Sequence, residues 1–130
     1  MQRILHTMLR VSDMQRSIKF YTQIIGMRLL RTLNQPSENY TLAFLGFDEE
    51  SASCVLELTY NYDVSEYNKG NAYGHIAIGV DDCSKACDEI KSKGGEITLE
   101  PKRLKNSSET IAFTVDPDGY QIELIQRNQV

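Results

Sequence analysis

His6-Thr7-Met8-Leu9-Arg10-Val11-Ser12-Asp13 and His75-Ile76-Ala77-Ile78-Gly79-Val80-Asp81-Asp82 are one segment written twice, and the chain's only two histidines stand at its head. The same shift of 69 residues carries Gly26 to Gly95 and Ala43-Phe44 to Ala112-Phe113. Beyond that pair the shift falls to 66 and maps Leu56-Glu57-Leu58 onto Ile122-Glu123-Leu124, so the second copy has a shorter intervening turn. One unit has been duplicated. Each copy carries a histidine and, later, a glutamate, in the same order.

Working outward from the first copy, Ile4 to Val11 has the content of a strand, and Ser12-Asp13 offers N-cap chemistry to a stretch whose Met14, Ile18, Tyr21 and Ile25 recur at helical spacing. Gly26 ends that helix as a C-terminal glycine does. Strands are expected over Met27 to Leu33, Tyr40 to Gly46 and Ser53 to Tyr60. The second copy repeats the order: strand Tyr73 to Val80, helix Asp82 to Lys93, a Gly94-Gly95 stop, and strands near Glu96, Thr110 and Tyr120. Asp116-Pro117-Asp118-Gly119 reads as a tight turn between the last two. The expected fold is α+β, built from two paired βαβββ modules over residues 1–62 and 72–130 with a connector at 63–71, together one domain. A single module leaves one sheet face bare and needs a second module to cover it.

The composition narrows the function. At 130 residues, with 41% hydrophobic and 25% charged, the chain is ordinary for a globular domain with a real core. A net charge of -4 lacks the basic face that nucleic acid requires, with Lys102-Arg103-Leu104-Lys105 a local exception. No apolar stretch is long enough to span a bilayer, and Met1-Gln2-Arg3-Ile4 does not open a signal-peptide core. Cys54, Cys83 and Cys87 form an odd set without metal-finger spacing and are expected as free thiols in a cytoplasmic protein. Cys83 and Cys87, one helical turn apart, are expected to be packing residues. Tyr60, Tyr62, Tyr67 and Tyr73 cluster about the connector, where packing outweighs substrate contact as a reading.

Strand periodicity supplies the candidate site. Side chains two apart share a face, which sets His6, Met8 and Arg10 together, Glu57 with Thr59 and Asn61, His75 with Ala77 and Gly79, and Glu123 with Gln121 and Ile125. A strand histidine is ordinarily a hydrogen-bonded structural residue, and a glutamate between apolar neighbours ordinarily faces solvent. Neither habit explains why both types recur at matched positions. Two imidazoles and two carboxylates suit a divalent transition ion such as Ni²⁺, Co²⁺, Zn²⁺ or Mn²⁺. Arg10 and Asn61 each lie four residues beyond a candidate ligand, roughly 13 Å at strand rise, a span that fits a peptide-sized substrate anchored by its carboxylates.

The segments His6 to Val11, Arg16-Ser17-Ile18-Lys19-Phe20-Tyr21, Leu56 to Asn61, Tyr73-Gly74-His75-Ile76-Ala77 and Asp116 to Ile125 resemble bacterial glyoxalase I, the lactoylglutathione lyases of the vicinal-oxygen-chelate superfamily. The resemblance covers nearly the whole chain. It implies a metal held by His6, Glu57, His75 and Glu123, with Arg10, Asn61 and Lys105 on glutathione and His75 also beside the substrate. It implies nickel or cobalt ahead of zinc, and a homodimer with sites at its interface. The implied reaction isomerises the methylglyoxal–glutathione hemithioacetal to S-D-lactoylglutathione by proton transfer through an enediolate, with Glu123 the principal base and Glu57 a ligand and second proton carrier. The competing readings are a related thiol transferase, ring-cleaving dioxygenase or epimerase, a non-catalytic drug-binding protein without a metal set, and a purely structural dimerisation domain.

Overall fold

The computed structural model describes residues 2–127, so the first residue of the first repeat and the last three of the second lie outside it. The chain divides into two compact units, one ending at Asn68 and the other starting at Lys69. Each unit is a four-stranded sheet with a helix. In the first, β1 (His6–Arg10), β2 (Arg28–Gln35), β3 (Tyr40–Gly46) and β4 (Val55–Asn61) lie in the order β1-β4-β3-β2, with β1 parallel to β4 and the other pairs antiparallel. In the second, β5 (Ile76–Gly79), β6 (Ile97–Arg103), β7 (Glu109–Val115) and β8 (Gln121–Arg127) take the matching order β5-β8-β7-β6 and the matching directions. The βαβββ order expected from the repeat is therefore present in both halves.

The two helices begin alike and end differently. The Asp13 and Asp82 carboxylates accept from the N–H groups of Arg16 and Lys85, capping α1 (Met14–Lys19) and α2 (Cys83–Ser92). α2 runs regularly to Gly94, whose φ of 91° closes it. α1 instead widens into a π-helical turn, Phe20–Ile24, with the Ile25 N–H donating to the Phe20 carbonyl five residues back, before Gly26 closes the segment at φ 96°. The Thr22 hydroxyl takes the Ile18 carbonyl at 2.7 Å and competes for an acceptor of the regular ladder. A π turn accommodates one extra residue. The backbone counterpart of Gly26 is consequently Gly94, not the Gly95 that the constant shift of 69 pairs with it.

In the first unit α1 lies against β4, and Leu9, Val11, Tyr21, Ala43, Leu45, Leu56 and Leu58 are buried. In the second, α2 lies against β6, β7 and β8, with Cys83, Cys87, Ile90, Ala112, Ile122 and Leu124 buried. Alternation does the sorting: Ala43 pairs with Leu58 and Leu45 with Leu56, which leaves Phe44 and Glu57 on the opposite face of the same sheet. The turn at 116–119 forms as expected, with the Asp116 carboxylate accepting from the N–H groups of Asp118 and Tyr120 and Gly119 at φ 87°. No helix among the described residues is long and apolar enough to cross a membrane.

One boundary differs in a place that matters. The strand expected from Tyr73 starts at Ile76, so His75 precedes β5 rather than lying in it. Its ladder partner β8 starts only at Gln121, after the tight turn, and Ile76 is the first residue with a strand opposite. The Tyr73 hydroxyl donates instead to the Gln121 carbonyl at 3.0 Å and fixes the approach to β5.

Candidate metal and substrate site

Each module brings its histidine to its glutamate. His6 Nε2 lies 3.6 Å from Glu57 Oε1, and His75 Nε2 lies 3.1 Å from Glu123 Oε1. The local surroundings repeat as well. Both imidazole side chains are about two-fifths exposed (41% and 43%), while both carboxylates are only 13% exposed. Each imidazole meets a phenylalanine in an edge arrangement, His6 on Phe44 at 5.9 Å and His75 on Phe113 at 5.3 Å between ring centres.

The sheet register explains the match. Met8, Glu57, Phe44 and Arg31 form one row across β1, β4, β3 and β2, and Ala77, Glu123, Phe113 and Leu99 form the corresponding row across β5, β8, β7 and β6. Directly paired residues point to one face, so ring, carboxylate and imidazole are delivered together. The repeated Ala-Phe pair was thus a signal for the rings beneath the histidines, one that the search for metal donors passes over.

Two differences between the halves bear on the glutamates and the rings. Glu57 Oε2 accepts a hydrogen bond from the Thr59 hydroxyl at 3.2 Å, whereas the position two beyond Glu123 is Ile125. The Arg31 guanidinium lies 3.7 Å from the centre of the Phe44 ring, whereas the second row ends in Leu99. Arg31 Nε and Nη2 donate to the two Glu50 oxygens at 2.8 and 3.1 Å. That hydrogen bonding pushes the guanidinium above its usual value and holds Glu50 below the usual carboxylate range.

The donor pair of each module approaches the spacing that a divalent ion requires. Two ligand atoms bound at about 2.1 Å with bond angles between square and tetrahedral stand about 3.0 to 3.4 Å apart. The His75–Glu123 distance of 3.1 Å falls within that range, and the His6–Glu57 distance of 3.6 Å lies just above it. Borderline nitrogen and hard oxygen donors suit first-row ions. One module holds one such pair, and among the described residues no three of His, Cys, Asp and Glu gather in one group.

The expected substrate contacts divide between the units. Arg10 ends β1 opposite Thr59, and Asn61 ends β4 two residues further on, so both belong to the same end of the first sheet. The Asn61 Nδ2 group donates to the Tyr67 hydroxyl at 3.2 Å, which gives a connector tyrosine a polar contact with a candidate binding residue rather than packing alone. Lys105 belongs to the second unit, on the exposed turn joining β6 to β7 where Asn106 adopts φ 61°. Cys54, Cys83 and Cys87 are free, and the last two are buried. Burial pushes both of those thiols up, Cys87 to about 11.

Residues 3–124 match the model of the Glyoxalase/Bleomycin resistance protein/Dioxygenase superfamily. The chain is 60% identical to the "Probable lactoylglutathione lyase" of Vibrio cholerae over 98% of its own length and 92% of that protein's. It is 55% identical to the lactoylglutathione lyase of Salmonella typhimurium, covering 95% of this chain and 92% of that one. Crystalline glyoxalase I from Zea mays superposes with a TM-score of 0.93 at 52% identity over 98% of this chain, which spans only 46% of the maize chain. With the repeated sheets and the His–Glu pairs in place, the chain belongs to this superfamily and, within it, to the lactoylglutathione lyases of the glyoxalase I family.

Proposed function

We propose that this lyase holds one divalent ion, Ni²⁺ or Co²⁺ ahead of Zn²⁺, with His6 and Glu57 of one module and His75 and Glu123 of another. Its substrate in this reading is the hemithioacetal that methylglyoxal forms with glutathione. The product is S-D-lactoylglutathione, and the work is detoxification of methylglyoxal in the cytoplasm. The observation that carries the reading is the pairing of an imidazole nitrogen with a carboxylate oxygen at 3.6 and 3.1 Å in the two modules. Bound there, the ion supplies Lewis-acid stabilisation of negative charge on the two adjacent substrate oxygens.

The proton is moved by a side chain of the protein. Glu123 takes it from the carbon bonded to sulfur and returns it to the neighbouring carbon, so one C–H bond breaks, another forms and no redox cofactor is used. Glu57 is the less suitable base because Thr59 already occupies its second oxygen. It remains the ligand, able to serve as a second proton carrier. Arg10 holds a substrate carboxylate through charge-assisted hydrogen bonds. Asn61 contacts the glutathione peptide, His75 borders the substrate as well as binding the ion, and Lys105 adds a cation at its far end. We take the working form to be a homodimer, in which each ion receives one His–Glu pair from either chain.

Glu123→Gln tests the assignment. It should retain the ion and lose about 10² to 10⁴-fold in kcat. A Glu123→Gln protein with bound metal and near-wild-type turnover would assign the proton transfer elsewhere.

A further inference from the structure

The two rows that carry the site's glutamates share the glutamate and the phenylalanine and differ at both ends, Met8 against Ala77 at one and Arg31 against Leu99 at the other, where, among the described residues, the first module alone has a cation beside its ring. Arg31 is not merely a surface cation. Its flat guanidinium covers the face of Phe44 at 3.7 Å, and Phe44 is only 4% exposed as a result of this cover and of its other packing. The edge contact of that ring with the His6 imidazole is the histidine's side support. Glu50 fixes the guanidinium through two nearly parallel hydrogen bonds. Glu50 is itself fastened: the Arg3 guanidinium donates to the Glu50 carbonyl at 2.7 Å and to the Ser53 carbonyl at 3.2 Å. The chain of contacts therefore runs Arg3, Glu50, Arg31, Phe44, His6, all within the first unit. Among the described residues no cation lies over Phe113.

We propose that Arg31, locked by Glu50, is a positioning residue that acts through the Phe44 ring to hold the His6 imidazole in its metal-binding orientation, making the first module the rigid half of the site. The inference rests on the metal reading above. It also gives Glu50 a definite task. A bare guanidinium beside His6 and Glu57 would repel a divalent cation, and the Glu50 carboxylate cancels that charge while leaving the flat clamp on the ring. Thr59 supports Glu57 in the same module, so both donors of this half are braced, whereas Glu123 is left able to shift as it carries a proton.

The clean test removes the pair without changing the net charge. Metal-free wild type, the double variant Arg31→Gln/Glu50→Gln and Arg31→Lys are titrated with Co²⁺, and both the dissociation constant and the visible Co²⁺ absorption bands are recorded. Loss of a support behind a ligand costs about 10 to 100-fold in metal affinity. The double variant should weaken Co²⁺ binding by at least about tenfold and alter the bands, while far-UV circular dichroism stays as in wild type. Arg31→Lys, which keeps the charge but not the planar stack, should fall between the two. Wild-type affinity and bands in both variants would overturn the positioning role and leave the metal reading standing. Failure of wild type itself to bind Co²⁺ would overturn both.

Discussion

Glu57 and Glu123 occupy matching places in a repeat, and one hydroxyl separates their chemistry. Thr59 bonds Glu57, and Ile125 stands where a counterpart would be. The sequence places both glutamates and both threonine-row positions in plain view, but a hydroxyl two residues away on a strand says nothing of whether it turns toward its neighbour. The same holds for Tyr67, whose bond to Asn61 depends on how the connector folds back. With Arg10 in the substrate-binding role proposed above, Arg10→Ala should raise KM about tenfold or more with kcat close to wild type, since that role is a charge-assisted hydrogen bond made to substrate and transition state alike. Tyr67→Phe should raise KM by a smaller factor, by loosening the Asn61 carboxamide. Steady-state kinetics of the two variants check both expectations; a fall in kcat at constant KM would place Arg10 in the chemical step.

Strand periodicity located the elements and sorted their faces, because Leu56 and Leu58 of β4 and Ile122 and Leu124 of β8 alternate with the glutamates and are buried on the sheet face opposite them, and α1 lies against β4 and α2 against β8. Leu58 is fully buried, and Leu58→Ala should cost about 3 kcal/mol of stability, measured by urea unfolding. The details that escaped the sequence are those set by competition between near-equal hydrogen bonds. The π turn at 20–24 follows the Thr22 hydroxyl taking the Ile18 carbonyl, and the late start of β5 follows the late start of its partner. In α2, burial raises Cys87 to about 11 from the ordinary thiol value of 9.0. The native fold favours the protonated thiol, so this contribution is complete below pH 9 and is lost as pH climbs through about 11. Urea midpoints from pH 8 to 11 should fall less steeply in Cys87→Ala than in wild type. A slope unchanged by the substitution would show that burial of this thiol is not what the alkaline loss reports.

At the scale of the molecule, the metal site proposed above depends on the duplication. Each module offers one imidazole and one carboxylate, and the proposal takes one such pair from each of two modules. The repeat made this legible; which two modules meet was not, because an internal repeat satisfies the same symmetry within a chain or across a pair of chains. In the homodimer proposed above, His6→Ala and His75→Ala each damage every site when alone. Mixed under exchanging conditions, they form heterodimers with one doubly damaged and one intact site, and about a quarter of wild-type activity should return. No recovery would assign each site to a single chain. The measurement that bears most directly on the whole account is reconstitution. Metal-free protein receives Ni²⁺, Co²⁺ or Zn²⁺ separately, with bound metal and thioester formation from methylglyoxal and glutathione followed together. The account predicts one ion bound per chain and activity that rises with occupancy, highest with Ni²⁺ or Co²⁺ and abolished in His6→Ala and His75→Ala; thioester formation with no bound ion, or none with any ion, would contradict it.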